Sequence, residues 1–175
     1  MTITVAQLDT MPDAEAAFKL AACCGSSAWV AGMLARRPFG SREQLFIASE
    51  EVARVLRESD WLDAFAHHPR IGRRNSNAAV STSAESWSTG EQSASATAST
   101  EVRAALADAN AEYEKRFGFI FIICASGRSA TDILVALRAR MGNERGAEID
   151  VAAREQEQIT RLRLEKLIPA DGVNA

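Results

Sequence analysis

Two adjacent histidines, His67 and His68, stand in the run AFAHHPRIGRRN. Histidine gives and takes protons near neutral pH without a large pKa shift. Neighbours on a helix point about 100° apart, so this pair is poorly placed to share a metal ion. His68 closes an apolar-periodic segment, precedes Pro69 and leads into Arg70, Gly72, Arg73 and Arg74. A loop histidine on a rigid element is a candidate acid–base group, although a histidine at a helix end can equally satisfy backbone carbonyls. In SWSTGEQ, Ser88, Glu91 and Gln92 offer a hydroxyl, a charged acceptor and an amide. That set suits a small ligand rich in N–H and C=O groups, and a solvated loop is the plainer reading. Arg161 and Arg163 lie in QITRLRLEKL. With Ile159, Leu162 and Leu167 inward, the apolar stripe centres about 10° from Ile159. Arg163 then falls near about 40° and Arg161 near about 200°. An inward Arg163 needs an anion or an internal salt bridge.

The elements that must position these groups read as helices. Asp13 is an N-cap candidate for a helix through Phe18 and Leu20 that stops at Gly25. Ser26 or Ser27 starts the next, with Trp29, Met33 and Leu34 on one face, ended by Pro38. Ser41 and Gln44 have capping-box spacing ahead of Leu45, Ala48, Val52, Val55 and Leu56. Ser59 or Asp60 opens a short helix carrying Trp61 and Phe65, stopped before Pro69. Residues 81–100 are rich in Ser and Thr and read as a polar loop or short weak helices around Trp87. An amphipathic helix follows with Val102, Leu106, Ala109, Tyr113 and Phe117. Phe117–Ala125, FGFIFIICA, is apolar, β-branched and short. Periodicity cannot separate strand from helix in such a run, and with no partner strand in view it reads as a buried extended stretch. Ser129 caps a helix with Ile133, Leu134 and Leu137, ending near Gly142 and Asn143. The last helix covers 144–168, with Ile149, Ala152, Ile159, Leu162 and Leu167 inward. The expectation is an all-α chain of about seven or eight helices with one short buried extended segment.

At 175 residues, 47% hydrophobic and 25% charged, the chain suits one globular domain over 1–175, with the polar loop region 73–100 inside it. A net charge of −3 excludes a generic nucleic-acid binder. Cys23, Cys24 and Cys124 are odd in number, form no CxxC pair and read as buried apolar residues in a reducing compartment. No stretch reaches about 18 apolar residues, and the N-terminus has neither a basic start nor an apolar core of the signal-peptide kind. A cytoplasmic location without membrane contact is expected. There is no GxGxxG, Walker, GxSxG or HExxH motif.

Several segments together resemble one family. They are CCGSSAW with RRPF, DWLDAFAHHPRIG, the SxxEQ of Ser88–Gln92, NAEYEKRFGFIFIICASGRS and EQEQITRLRLEKL, in order and with compatible spacing over roughly residues 10–168. They resemble the 2-oxo-4-hydroxy-4-carboxy-5-ureidoimidazoline (OHCU) decarboxylases of urate breakdown. The resemblance implies an all-α homodimer that uses no metal or organic cofactor, acts on a small molecule and yields (S)-allantoin. It implies His68 as the catalytic histidine, with Glu91 and Arg163 as further functional groups. Pro69, Ser88, Gln92 and the main chain of Phe121, Ile122, Ile123, Cys124 and Ala125 are implied to bind substrate. The stretch between HPRIG and EQ departs from the family pattern in its richness in Ser and Ala. Two other readings remain at this point: a helical binding module that has lost catalysis, and a metal-dependent hydrolase of a purine-ring product.

Overall fold

The computed structural model describes residues 2–69 and 99–170. Among them it is all-α, with eight helices and no strand: α1 Val5–Thr10, α2 Asp13–Cys23, α3 Ser27–Leu34, α4 Arg42–Ala53, α5 Glu58–Ala66, α6 Thr100–Phe117, α7 Ala130–Arg140 and α8 Arg145–Leu167. Most of their starts are local chemistry. The side chains of Thr4, Ser26, Ser41, Ser99 and Ser129 each accept a backbone N–H of the first turn. Each such cap is worth about 1 kcal/mol. Ser99 and Thr100, at the end of the expected polar loop, are instead the cap and first residue of α6. Asp13 is not a cap. Pro12 precedes α2 without a side-chain bond, and Asp13 supplies negative charge to the first turn. Val55 lies beyond the end of α4 and is exposed rather than inward.

The chain divides into two compact units, Met1–Ala64 with Glu157–Ala175, and Phe65–Gln156. In the first unit α2 packs on α3 and α3 on α4. Gly32 lets α3 approach closely: a Cβ there would come within 2.7 Å of Val52 Cγ1. Leu8, Leu20, Trp29, Met33, Leu45 and Leu164 are fully buried here. Each such side chain contributes about 1.5–3 kcal/mol. The end of α8 is tied down by Ile3 N–H to Leu167 C=O (2.9 Å) and by Arg42 Nε to Ile168 C=O (3.0 Å).

In the second unit α6 packs on α7. Gly118, at φ +80°, closes α6 in the left-handed conformation that glycine adopts without strain, and releases the chain into 119–125. This segment is neither helix nor strand, and Phe119 and Phe121–Ala125 are buried. The rings of Phe119 and Phe121 both meet the Tyr113 ring edge-on, at 5.8 and 5.1 Å. Phe65 meets Phe119 at 5.5 Å, which joins the end of α5 to the start of the segment.

Candidate active site

Pro69 and the end of α5 set the two histidines apart. The helix ends at Ala66, and His68 N–H turns back to Phe65 C=O at 3.1 Å. His67 is exposed, whereas His68 and Pro69 are half-buried. The proton-carrying candidate is therefore the one held against protein, in the same unit as residues 121–125.

The 121–125 stretch has its polar backbone tied by side chains. Arg140 Nη1 donates to Ile122 C=O at 2.9 Å, and Cys124 N–H donates to Glu155 Oε2 at 2.7 Å. Arg128 N–H closes a turn onto Ala125 C=O at 3.1 Å. Behind the stretch, the fully buried Glu148 accepts from Arg140 Nε (2.7 Å), Asn143 Nδ2 (2.6 Å) and the Tyr113 hydroxyl. Three donors on one carboxylate satisfy a charge that burial alone would not tolerate. Burial, and then the bond to Glu148, push the Tyr113 hydroxyl well above the usual phenol range, so it is a hydrogen-bond donor and not an acid.

Arg163, in the other unit, is 5% exposed, and its Nη1 donates to Ala22 C=O at 3.3 Å. Arg161 is half out, paired with Glu50 (3.3 Å) and Glu165 (3.4 Å) and set over the Phe46 ring at 4.9 Å. The inward position expected for Arg163 is observed, but the stripe around it differs. Leu162 is only half-buried, while Leu164, Gln156 and Thr160 are buried. The centre of the face is polar, so apolar residues alone place it too far to one side. Near Arg163, burial pushes the Cys24 thiol up to about 11, partly offset by Ser26, Thr160 and the Arg163 charge. Cys24 is thus a neutral thiol at pH 7 and no nucleophile. Asp63 accepts the Ser27 N–H at 2.8 Å and holds the start of α3.

Ser88, Glu91 and Gln92 lie outside the described residues, as do Arg70, Gly72, Arg73, Arg74 and Trp87. Sequence reasoning missed the roles of Arg140, Glu148 and Glu155. Their partners are distant in the chain, and the only local signal was a charged residue at the margin of an apolar helix face. Among the described residues no group of three or more His, Cys, Asp or Glu side chains could hold a metal ion, and no helix is long and apolar enough to cross a membrane.

Comparison with known proteins gives a consistent picture. A family model described as OHCU decarboxylase matches residues 9–165. The chain is 41% identical over 145 residues to the uric acid degradation bifunctional protein TTL of Arabidopsis thaliana, covering 83% of this chain and 45% of that one. It is 44% identical over 59 residues to the 2-oxo-4-hydroxy-4-carboxy-5-ureidoimidazoline decarboxylase of Amia calva, covering 34% of each. The matched region thus spans less than half the length of either curated relative. Among solved structures, an OHCU decarboxylase crystallised in the presence of (S)-allantoin superposes with a TM-score of 0.75 at 35% identity, covering 87% of this chain and 99% of that one.

Proposed function

The chain belongs to the OHCU decarboxylase family, and from that premise we propose that it is a carbon–carbon lyase converting 2-oxo-4-hydroxy-4-carboxy-5-ureidoimidazoline to (S)-allantoin in urate degradation. One observation carries the reading: the likeness to a solved decarboxylase extends over 99% of that protein. The half-buried His68 beside Pro69, the buried 121–125 stretch and the inward Arg163 support it.

The substrate supplies its own electron sink. One ring carbon carries the carboxylate and the hydroxyl, and the adjacent C=N carbon carries the ureido group. Carbon dioxide leaves, its bonding pair becomes a C=C bond to the ureido-bearing carbon, the C=N π pair moves onto the ring nitrogen, and that nitrogen takes a proton. The hydroxyl proton then leaves as C=O forms, while a proton adds to the ureido-bearing carbon. Net, one proton is taken up. On this reading the reaction calls for no metal or organic cofactor. His68 is the general acid–base, worth about 10²–10⁴-fold. Arg163 orients the carboxylate without gripping it, since tight binding of the group that leaves would stabilise the ground state. Glu91, Gln92 and Ser88 pair with ureido and ring groups, Glu91 also serving as a functional carboxylate. Pro69 and the main chain of Phe121–Ala125 form the wall of the site. The chain works as one domain over 1–175, as a homodimer, in the cytoplasm, where its three thiols stay reduced.

Circular dichroism tests the activity, because (S)-allantoin is chiral. Water protonates the released enol equally on both faces and yields a racemate. Growth of the (S) signal with freshly generated substrate is the expected result. A racemic product at the uncatalysed rate refutes the function.

A further inference from the structure

Buried backbone groups need partners, and in 119–125 no helix or sheet ladder supplies them. Two side chains supply them on one edge. Arg140 Nη1 takes Ile122 C=O, and Glu155 Oε2 takes Cys124 N–H, at 2.9 and 2.7 Å. In an extended chain the N–H and C=O of one residue share an edge, and successive residues alternate. The extended course read from the sequence then puts Ile122 and Cys124 on one edge and Phe121 and Ile123 on the other, while the Ala125 carbonyl closes the turn onto Arg128 N–H. The rings of Phe119 and Phe121, two apart and both on Tyr113, fit this repeat. Arg140 is fixed by Glu148 and lies 4.5 Å over the Phe121 ring, and the second Glu155 oxygen faces Arg128 at 3.4 Å.

We propose that Glu155, with Arg140, is a positioning residue of the decarboxylation. The two side chains clamp the Ile122–Cys124 edge, and this sets the opposite edge, Ile123 N–H and C=O foremost, toward the ureido and ring groups of the substrate. The inference rests on the function proposed above. It assigns the Ile122 carbonyl and the Cys124 amide to the scaffold, and it makes Glu155 act on the substrate only through the main chain.

The test uses the full chain with E155A, E155Q and R128A. Circular dichroism gives kcat and KM on freshly generated substrate, and hydrogen exchange follows the Cys124 amide. A misplaced wall costs turnover, so E155A should lose about 10–100-fold in kcat/KM, chiefly in kcat. E155Q keeps size and an oxygen acceptor for Cys124 N–H, and should stay within about threefold of the parent, which also controls for misfolding. R128A leaves that bond in place and should match the parent. Cys124 exchange should accelerate in E155A alone. Parent kcat in E155A overturns the positioning role, as does E155Q or R128A as impaired as E155A. A purely structural Glu155 would lower the melting temperature and spare kcat. A parent that forms no (S)-allantoin fails the functional reading itself, and the proposal with it; an active parent beside an equally active E155A fails the positioning alone.

Discussion

Removing Arg163 and removing Arg161 should have opposite consequences. Arg163 is 5% exposed, whereas the Arg161 side chain is 56% exposed. Arg161→Ala deletes two solvent-screened ion pairs, with Glu50 and Glu165, and one stacking contact on Phe46. Exposed pairs are worth about 0.2–1 kcal/mol each and an exposed cation–π contact about 0.5–1 kcal/mol, so the expected stability loss is about 1–3 kcal/mol with turnover intact. Arg163→Ala removes a buried guanidinium from Ala22 C=O. If Arg163 also holds the substrate carboxylate, a charge-assisted bond of about 1.5–3 kcal/mol is lost, which converts to about 10–150-fold in kcat/KM. Arg163→Lys should recover part of this, since an ammonium lacks the planar fork. Chiral product formation gives kcat/KM for the three variants, and denaturant unfolding gives their stability. A crippled Arg161→Ala beside an active Arg163→Ala would refute both the helix phase and the site assignment.

His68→Asn should lose turnover by about 10²-fold or more while folding normally, and the exposed His67→Ala should keep most of it; equal rates in the two variants would remove His68 from the chemistry. Cys23, Cys24 and Cys124 are buried and joined by no disulfide. Iodoacetamide should label them in the native protein far more slowly than after denaturation, as mass measurement would show, and a stable intrachain disulfide would overturn the reducing-compartment reading. Burial first, then its bond to Glu148, raises the Tyr113 hydroxyl above its unfolded value. Its contribution is therefore complete below about pH 10, the unfolded phenol value, and declines as pH rises above it. Denaturant midpoints between pH 8 and 11 should fall for the parent and fall less for Tyr113→Phe, and parallel profiles would contradict this.

The sequence carried most clearly what depends on neighbours in the chain. Ser26, Ser41 and Ser129 cap their helices because each hydroxyl needs only an N–H three residues on. Pro69 likewise stops the helix before it by local geometry alone. Contacts between distant residues leave no such trace. Nothing near Glu148 says that Tyr113, Arg140 and Asn143 will converge on it, and nothing near Cys124 names Glu155 as its acceptor. The buried face of α8 lies between these cases. Its apolar residues put the centre about 10° from Ile159, but with Gln156, Thr160, Arg163 and Leu164 buried the centre moves to about 60°. Leu162, at about −60°, slides to the margin for that reason. The inward assignment of Arg163 survives because two positions along a helix separate side chains by about 200°. Arg163 lies about 20° from the observed centre and Arg161 about 140° from it. A phase error of about 50° moves a leucine in or out of a core, yet it cannot exchange two residues on opposite sides of the helix.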